Sequence, residues 1–219
     1  MSVRVGIADY GVGNMASVSN AVMVAGGLAD IVTDPTRLLD YDRLILPGVG
    51  AFADAVKRLR SSGMATALDA YRRTGRPILG ICLGMQLMCK DSTEDGLHTG
   101  LGWFDAHVRR FPAIPDQKVP HIGWNDLAFS REHPVLSQVP AQADAYFVHS
   151  YRVEPISQHD VLAWCDYGGP FAAMIARDNL VGIQFHPEKS QRIGLTILKN
   201  FIAWNAALMA TTELEMATC

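Results

Sequence analysis

Four short apolar runs, each closed by a glycine or proline turn, constrain this chain more than any other feature. Residues 3–8 run into DYGVGN, and residues 44–46 run into Pro47-Gly48-Val49-Gly50. Residues 77–81 end at Cys82-Leu83-Gly84, and residues 181–185 end at His186-Pro187-Glu188. Short runs that are apolar throughout, rather than alternating, suit strands buried on both faces. A shorter run at 31–33 reads as a further short strand. Helical spacing marks 15–25, stopped by Gly26-Gly27, and also 51–59 and 64–73. Further helices are expected over 85–90 and 194–209. The repeated order of strand, turn and helix predicts an α/β fold, with a mostly parallel central sheet flanked by helices.

After residue 95 the pattern changes. Residues 103–109, 145–153, 161–165 and 172–175 read as strands with few helices between them, so antiparallel or mixed strands are expected beside the parallel core. A length of 219 residues suits a single domain, expected over 1–210 with a frayed tail at 211–219. The net charge is −3 and no basic run could track a phosphate backbone, so nucleic acid is not the expected partner. Cys82, Cys89, Cys165 and Cys219 form no CxxC pair and match neither a zinc site nor a disulfide framework. A reducing compartment follows. Without an apolar leader or membrane-length run, the chain reads as cytoplasmic with no membrane partner. GVGN resembles a dinucleotide-binding turn only superficially, because Ala16 stands at the third glycine position; no GK[ST] follows any glycine loop. No cofactor or metal is expected.

Cys82 is the residue of chemical interest. Taken alone, a cysteine here is a small buried apolar side chain. Its setting, Gly80-Ile81-Cys82-Leu83-Gly84, is the G-x-nucleophile-x-G pattern, in which small neighbours permit a sharp turn from strand to helix. The unpaired N–H groups of a following helix would favour a thiolate. Of seven histidines, His186 alone follows a buried-looking strand, where parallel α/β folds place their sites. Glu188, two residues on, is close enough to orient its ring, giving a nucleophile, a base and an orienting acid. The competing reading of His-Pro-Glu is a charged surface turn. Leu83 N–H is the first amide after the nucleophile, and the 47–50 loop could supply a second oxyanion donor; an ordinary tight turn is the alternative.

Five stretches then carry a resemblance: DYGVGN (9–14), LPGVGAF (46–52), GICLGMQ (80–86), VPHIGWN (119–125) with YFVHSY (146–151), and GIQFHPEKS (182–190). The chain resembles the class I glutamine amidotransferases over essentially its whole length. GICLG and FHPE carry the superfamily likeness. PGVGAF, PHIGWN and HSY make it most similar to the glutaminase subunits of imidazole glycerol phosphate synthase. The resemblance implies hydrolysis of L-glutamine through a Cys82-His186-Glu188 triad, with Val49 and Leu83 as backbone oxyanion donors. It places Gly50, Gln86, Glu94, His149, Ser150 and Tyr151 around the substrate. It implies a heterodimer with a separate (β/α)8-barrel cyclase that receives the ammonia, contacted by Asn14, Trp124, Asn125 and Tyr146. A subunit feeding another pathway, such as sugar modification, would share every catalytic residue; outside the resemblance, Trp124 and Tyr146 read equally well as core aromatics.

Overall fold

The computed structural model describes residues 2–115 and 117–206; the end of the expected domain, the expected tail and Cys219 lie outside them. In chain order the elements are β1 (Arg4–Ala8), α1 (Met15–Val24), β2 (Leu28–Val32), β3 (Arg43–Leu46), α2 (Phe52–Ser61), α3 (Met64–Arg72), β4 (Ile78–Ile81) and α4 (Leu83–Leu87). There follow β5 (Cys89–Ser92), β6 (His98–Thr99), β7 (Phe104–Arg110), β8 (His121–Phe129), β9 (Ala143–His149), β10 (Tyr151–Pro155), β11 (Val161–Asp166), β12 (Pro170–Arg177), β13 (Leu180–Ile183) and α5 (Gln191–Ala203).

All the strands share one sheet, with main order β2-β1-β3-β4-β13-β12-β10-β7-β5-β6; β11, β8 and β9 branch from β12. The stretch from β2 to β13 is parallel throughout. Beyond it β12, β10 and β7 pair antiparallel, as do β11 with β12 and β8 with β9. The expected parallel core with appended strands is present, and the appended part makes the sheet as a whole mixed.

Side-chain alternation divides the core into two layers. Ile45, Leu79, Ile81, Val181 and Ile183 face one layer, with Val18 and Val22 of α1 and Ile197, Leu198 and Phe201 of α5. Leu44, Leu46 and Ile78 face the other, with Phe52, Ala55, Val56 and Leu59 of α2 and Met64, Leu68 and Tyr71 of α3. Each helix buries positions three and four apart, which makes one stripe per helix. Completely burying such a side chain contributes about 1.5–3 kcal/mol, so the four helices are held mainly by these stripes.

The helix expected over 85–90 is a correction. It begins earlier, at Leu83, and stops at Leu87, after which Cys89–Ser92 extends as β5. The chain leaves the helix because β5 pairs along β7, Cys89 with Phe104, Asp91 with His107 and Ser92 with Val108, with a register shift between Cys89 and Asp91. That pairing is set by residues distant in sequence, which local periodicity does not report. Glu94 consequently follows a strand, not the helix after Cys82. The run expected over 145–153 is also two strands, broken at Ser150. Among the described residues, no helix is long and apolar enough to cross a membrane.

Candidate active site

The carboxyl ends of β3, β4 and β13 meet one side of a cavity of about 300 Å³. Val49, Gly50, Cys82, Leu83, Gln86, Glu94, Val148, His149, Ser150, Tyr151, His186 and Lys189 line it. Every residue expected to act in catalysis or around the substrate, except Glu188, reaches this lining, and Glu188 touches it through His186.

Cys82 stands between β4 and α4 with φ 53° and ψ −110°. Such a backbone is rarely populated by a residue with a Cβ and costs of order 1–3 kcal/mol, held by its surroundings. The flanking glycines permit the turn through their lack of a side chain. Neither has a positive φ; each permits a close approach. A Cβ on Gly84 would lie 1.7 Å from the carbonyl oxygen of Leu46, and one on Gly80 would lie 2.8 Å from the nitrogen of Met85. The strain is therefore carried by Cys82, while its neighbours let α4 sit down on the strand ends. Cys82 N–H donates to Ile183 O at 2.8 Å, which ties the bend to β13. Because α4 has only five residues, its influence on the sulfur is that of its first free N–H groups and not of a long helix dipole.

His186 is buried, and its backbone is fastened to β9. His186 N–H donates to Tyr146 O at 2.9 Å. Ser190 Oγ donates to His186 O at 2.6 Å and accepts from Tyr146 N–H at 3.0 Å. The ring Nδ1 meets Glu188 Oε1 at 2.8 Å, while buried His186 Nε2 and Glu188 Oε2 have no hydrogen-bond partner among the described residues. Burial by itself would depress the imidazole. The Cys82 thiol and then the Glu188 carboxylate outweigh it, and the ring is raised from its ordinary value to about 9.

The remaining lining residues are held by specific bonds. Tyr10 is buried, and its hydroxyl donates to Pro47 O at 2.8 Å, anchoring the DYGVGN turn to the 47–50 loop. Glu94 Oε2 accepts from Phe52 N–H at 2.8 Å, so it caps α2, whose Ala51 offers no side-chain cap. Burial raises the Glu94 carboxyl, and the Phe52 bond opposes that. Gln86 Nε2 donates to Tyr151 O at 3.2 Å and to Gln184 Oε1 at 3.0 Å. The His149 ring is buried and turned to Tyr151 O through Nδ1 at 2.8 Å.

The residues expected at a partner surface divide. Trp124 and Tyr146 face each other across β8 and β9. Their rings meet edge to face at 6.1 Å, and Trp124 is 44% exposed. Asn14 is exposed and caps α1, accepting from Ser17 N–H at 3.3 Å. Asn125 is half-buried, and its amide donates to Asp166 O at 2.8 Å.

Lys189, Val148 and Gln184 escaped the sequence reading. Lys189 lines the cavity with its ammonium 5.8 Å from the Tyr146 ring centre, and nothing in the local pattern marks it. Gln184 Nε2 lies 3.7 Å from Cys82 Sγ. A signal for it existed: a lone polar side chain in the apolar run LVGIQF must find hydrogen-bond partners if the strand is buried.

A family model described as "Glutamine amidotransferase class-I" matches residues 7–204. The imidazole glycerol phosphate synthase subunit HisH of Geobacter sulfurreducens is 45% identical over 203 residues, covering 90% of this chain and 97% of that protein. The subunit of the same name from Wolinella succinogenes is 46% identical over 200 residues, covering 90% and 98%. Among solved structures, PurLQS from Thermotoga maritima superposes with a TM-score of 0.71 at 19% identity, over 96% of this chain and 100% of that one. A glutamine amidotransferase from the same organism gives 0.64 at 17% identity, over 100% and 86%. These two likenesses concern the fold, whereas the family match and the closer sequence relatives concern ancestry. The chain belongs to the class-I glutamine amidotransferases and, within them, to the HisH-type glutaminase subunits of imidazole glycerol phosphate synthase.

Proposed function

We propose that Cys82, His186 and Glu188 hydrolyse L-glutamine to glutamate and ammonia, and that the ammonia passes to a separate (β/α)8-barrel cyclase forming imidazole glycerol phosphate in histidine biosynthesis. The observation that carries the chemistry is the strained cysteine and the Glu188-bound histidine sharing one small cavity. Its volume of about 300 Å³ is at the low end for ligand sites, as a free amino acid requires.

The Cys82 thiolate attacks the side-chain amide carbon of glutamine. The carbonyl electron pair moves to oxygen, and the oxyanion is received by the backbone amides of Val49 and Leu83, a contribution of order 10²–10³ in rate per donor. Imidazolium His186, oriented by Glu188, gives its proton to the departing nitrogen, and ammonia leaves behind a glutamyl thioester. The now neutral ring takes a proton from water. The hydroxide adds to the thioester, glutamate departs, and the thiolate–imidazolium pair is restored. Gly50, Gln86, Glu94 and the backbone of His149, Ser150 and Tyr151 hold the amino-acid end.

The cyclase docks over Trp124 and Tyr146. The Tyr146 ring takes part in that surface while its backbone bonds hold His186 and Ser190, so the partner-facing strand is one hydrogen bond from the base. Asn14 lies on the turn anchored to the 47–50 loop, and Asn125 adjoins Trp124. The test is glutamate release by this chain, alone and with a barrel cyclase and its nucleotide substrate. Turnover should require the partner, rise with the nucleotide and vanish in Cys82→Ala. Activity lost in Cys82→Ala but indifferent to that partner would retain the glutaminase and refute the pathway.

A further inference from the structure

Gln184 is completely buried on the strand run that leads to His186. Its amide lies between two other side chains, with Oε1 at 3.0 Å from Gln86 Nε2 and Nε2 at 3.7 Å from Cys82 Sγ, within hydrogen-bond range for sulfur. Which end of a buried amide faces the sulfur decides whether the nucleophile meets a donor or an acceptor. Here the surrounding groups decide it.

The argument starts from Tyr151 O, which can only accept. Gln86 approaches it at 3.2 Å and must present its NH2 group. The second hydrogen on that nitrogen then faces Gln184, which must answer with its oxygen. The remaining end of Gln184, its NH2, is left pointing at Cys82. A second arm reaches the same carbonyl. His149 Nδ1 lies 2.8 Å from Tyr151 O and must carry a proton. His149 is deeply buried, and burial, together with the nearby histidines, pushes its ring down to about 3 against the raising effect of the Tyr151 bond, so the ring is neutral and Nε2 is bare. His121 Nδ1, at 3.1 Å, must therefore donate to it. His121 is also held neutral by burial, leaving its Nε2 to accept from the Asn125 amide at 3.3 Å. Asn125 completes the arm by donating to Asp166 O. The donor and the acceptor in each of these bonds are thus assigned.

We propose that Gln184 is a further catalytic residue of this site, its amide N–H donating to the Cys82 sulfur, and that Gln86, whose NH2 is fixed by the acceptor Tyr151 O, keeps it in that orientation. The proposal rests on the glutaminase reading of the cavity. A donor on the sulfur favours the anionic nucleophile, and it favours the return of negative charge to sulfur when the thioester breaks. Gln184 brings no charge of its own. The titratable groups around the sulfur are His186 and Glu188 on the turn after β13, Tyr10 on the turn after β1, and Glu94, His149, Tyr151 and Lys189 around the cavity; Asp9 stands beside Tyr10.

The test is alkylation of the full chain by iodoacetamide as a function of pH, with the modified residue located by mass spectrometry. Burial pushes Cys89 and Cys165 up, so near neutrality both react slowly. Of the three described cysteines Cys82 should react first in the unsubstituted chain, and L-glutamine should protect it. Failure of either would refute the glutaminase reading itself. Gln184→Met keeps the volume and removes the donor. Its Cys82 profile should move up by about one pH unit, a roughly ten-fold slower reaction at fixed pH below the midpoint. Gln184→Glu puts an acceptor and a negative charge at the same place, and it should move the profile further in the same direction. Protected, reactive Cys82 with superposable profiles in all three proteins overturns the role of Gln184 and leaves the glutaminase reading intact. If neither variant folds, the side-chain NH2 resonance of Gln184 in nitrogen-15-labelled unsubstituted chain provides the measurement. It should shift as Cys82 is alkylated, and no shift overturns the proposal.

Discussion

Glu188→Gln is the most informative single change. Both Glu188 and His186 are about 4% exposed at the side chain, and the carboxylate meets Nδ1 at 2.8 Å. The second carboxylate oxygen has no hydrogen-bond partner among the described residues, so its charge is directed at the ring. With burial pulling down and the Cys82 thiol and Glu188 pulling up, His186 stands at about 9 against an ordinary 6.5. That difference is worth about 3 kcal/mol in favour of the imidazolium. Glutamine keeps an oxygen for the Nδ1–H bond and deletes one of the two anions. The imidazolium preference should fall by about 1.4 kcal/mol, which lowers the pKa by about one unit. Because ammonia release needs the protonated ring, kcat/KM for glutamine should decline as pH rises through about 9 in the unsubstituted chain and through about 8 in the variant. The assay is glutamate release in the complex with the cyclase across pH 6 to 10. Stability gives a second readout with a defined sign. A group whose folded pKa is raised stabilises fully below its unfolded value, near 6.5, and loses that contribution as pH rises through about 9. The unfolding free energy contributed by His186 should therefore fall over that window, and by about 1.4 kcal/mol less in Glu188→Gln. An alkaline limb that stays in place in the variant would refute the assignment of Glu188 as the charge that holds the base protonated.

Two further changes probe other parts of the site. Gly84→Ala drives a methyl to 1.7 Å from the Leu46 carbonyl, a backbone atom that no rotamer change can move. Urea unfolding should show a loss of about 3 kcal/mol or more, the upper end for overpacking, and a loss below about 1 kcal/mol would contradict the close approach. Trp124→Ala removes a ring that is 44% exposed in the isolated chain, so unfolding should be nearly unchanged. The dissociation constant for the barrel cyclase, measured by calorimetry, should rise about thirty-fold, corresponding to a hot-spot loss of about 2 kcal/mol. An unchanged constant would remove Trp124 from the interface.

The parallel core was legible in the sequence because β1, β3, β4 and β13 are buried apolar runs punctuated by glycine or proline, and burial from both faces leaves few alternatives. Cys82, His186 and Glu188 were legible for a related reason: each stands at or just after the end of such a run. The added strands were harder to read. Cys89–Ser92 has the sequence CKDS and pairs with β7 and β6; its strand character comes from partners far along the chain. β8 reads HIGWNDLAF, with Leu127 buried and Ile122 and Trp124 exposed. Those apolar residues blur the alternation that would mark a half-buried strand. Gln184 was hidden inside a run read only for its hydrophobicity. Gly80 and Gly84 were read as small residues that let the strand turn sharply into the helix, and the close approaches at both positions require that smallness.

The order of strands has a consequence for how the protein is made. β13 is the last strand among the described residues, yet it lies between β4 and β12 in the middle of the sheet. On the ribosome the Cys82 elbow emerges about a hundred residues before its base and before the Gln184 amide. Until residues 180–188 emerge, the sulfur has neither a proton acceptor nor the Ile183 carbonyl that ties its backbone. β4 and β12 meanwhile each present an open edge, the kind of surface that pairs with other chains. Insertion of one four-residue strand closes both edges and brings the base to the nucleophile, so closing the sheet and arming the cysteine are a single event.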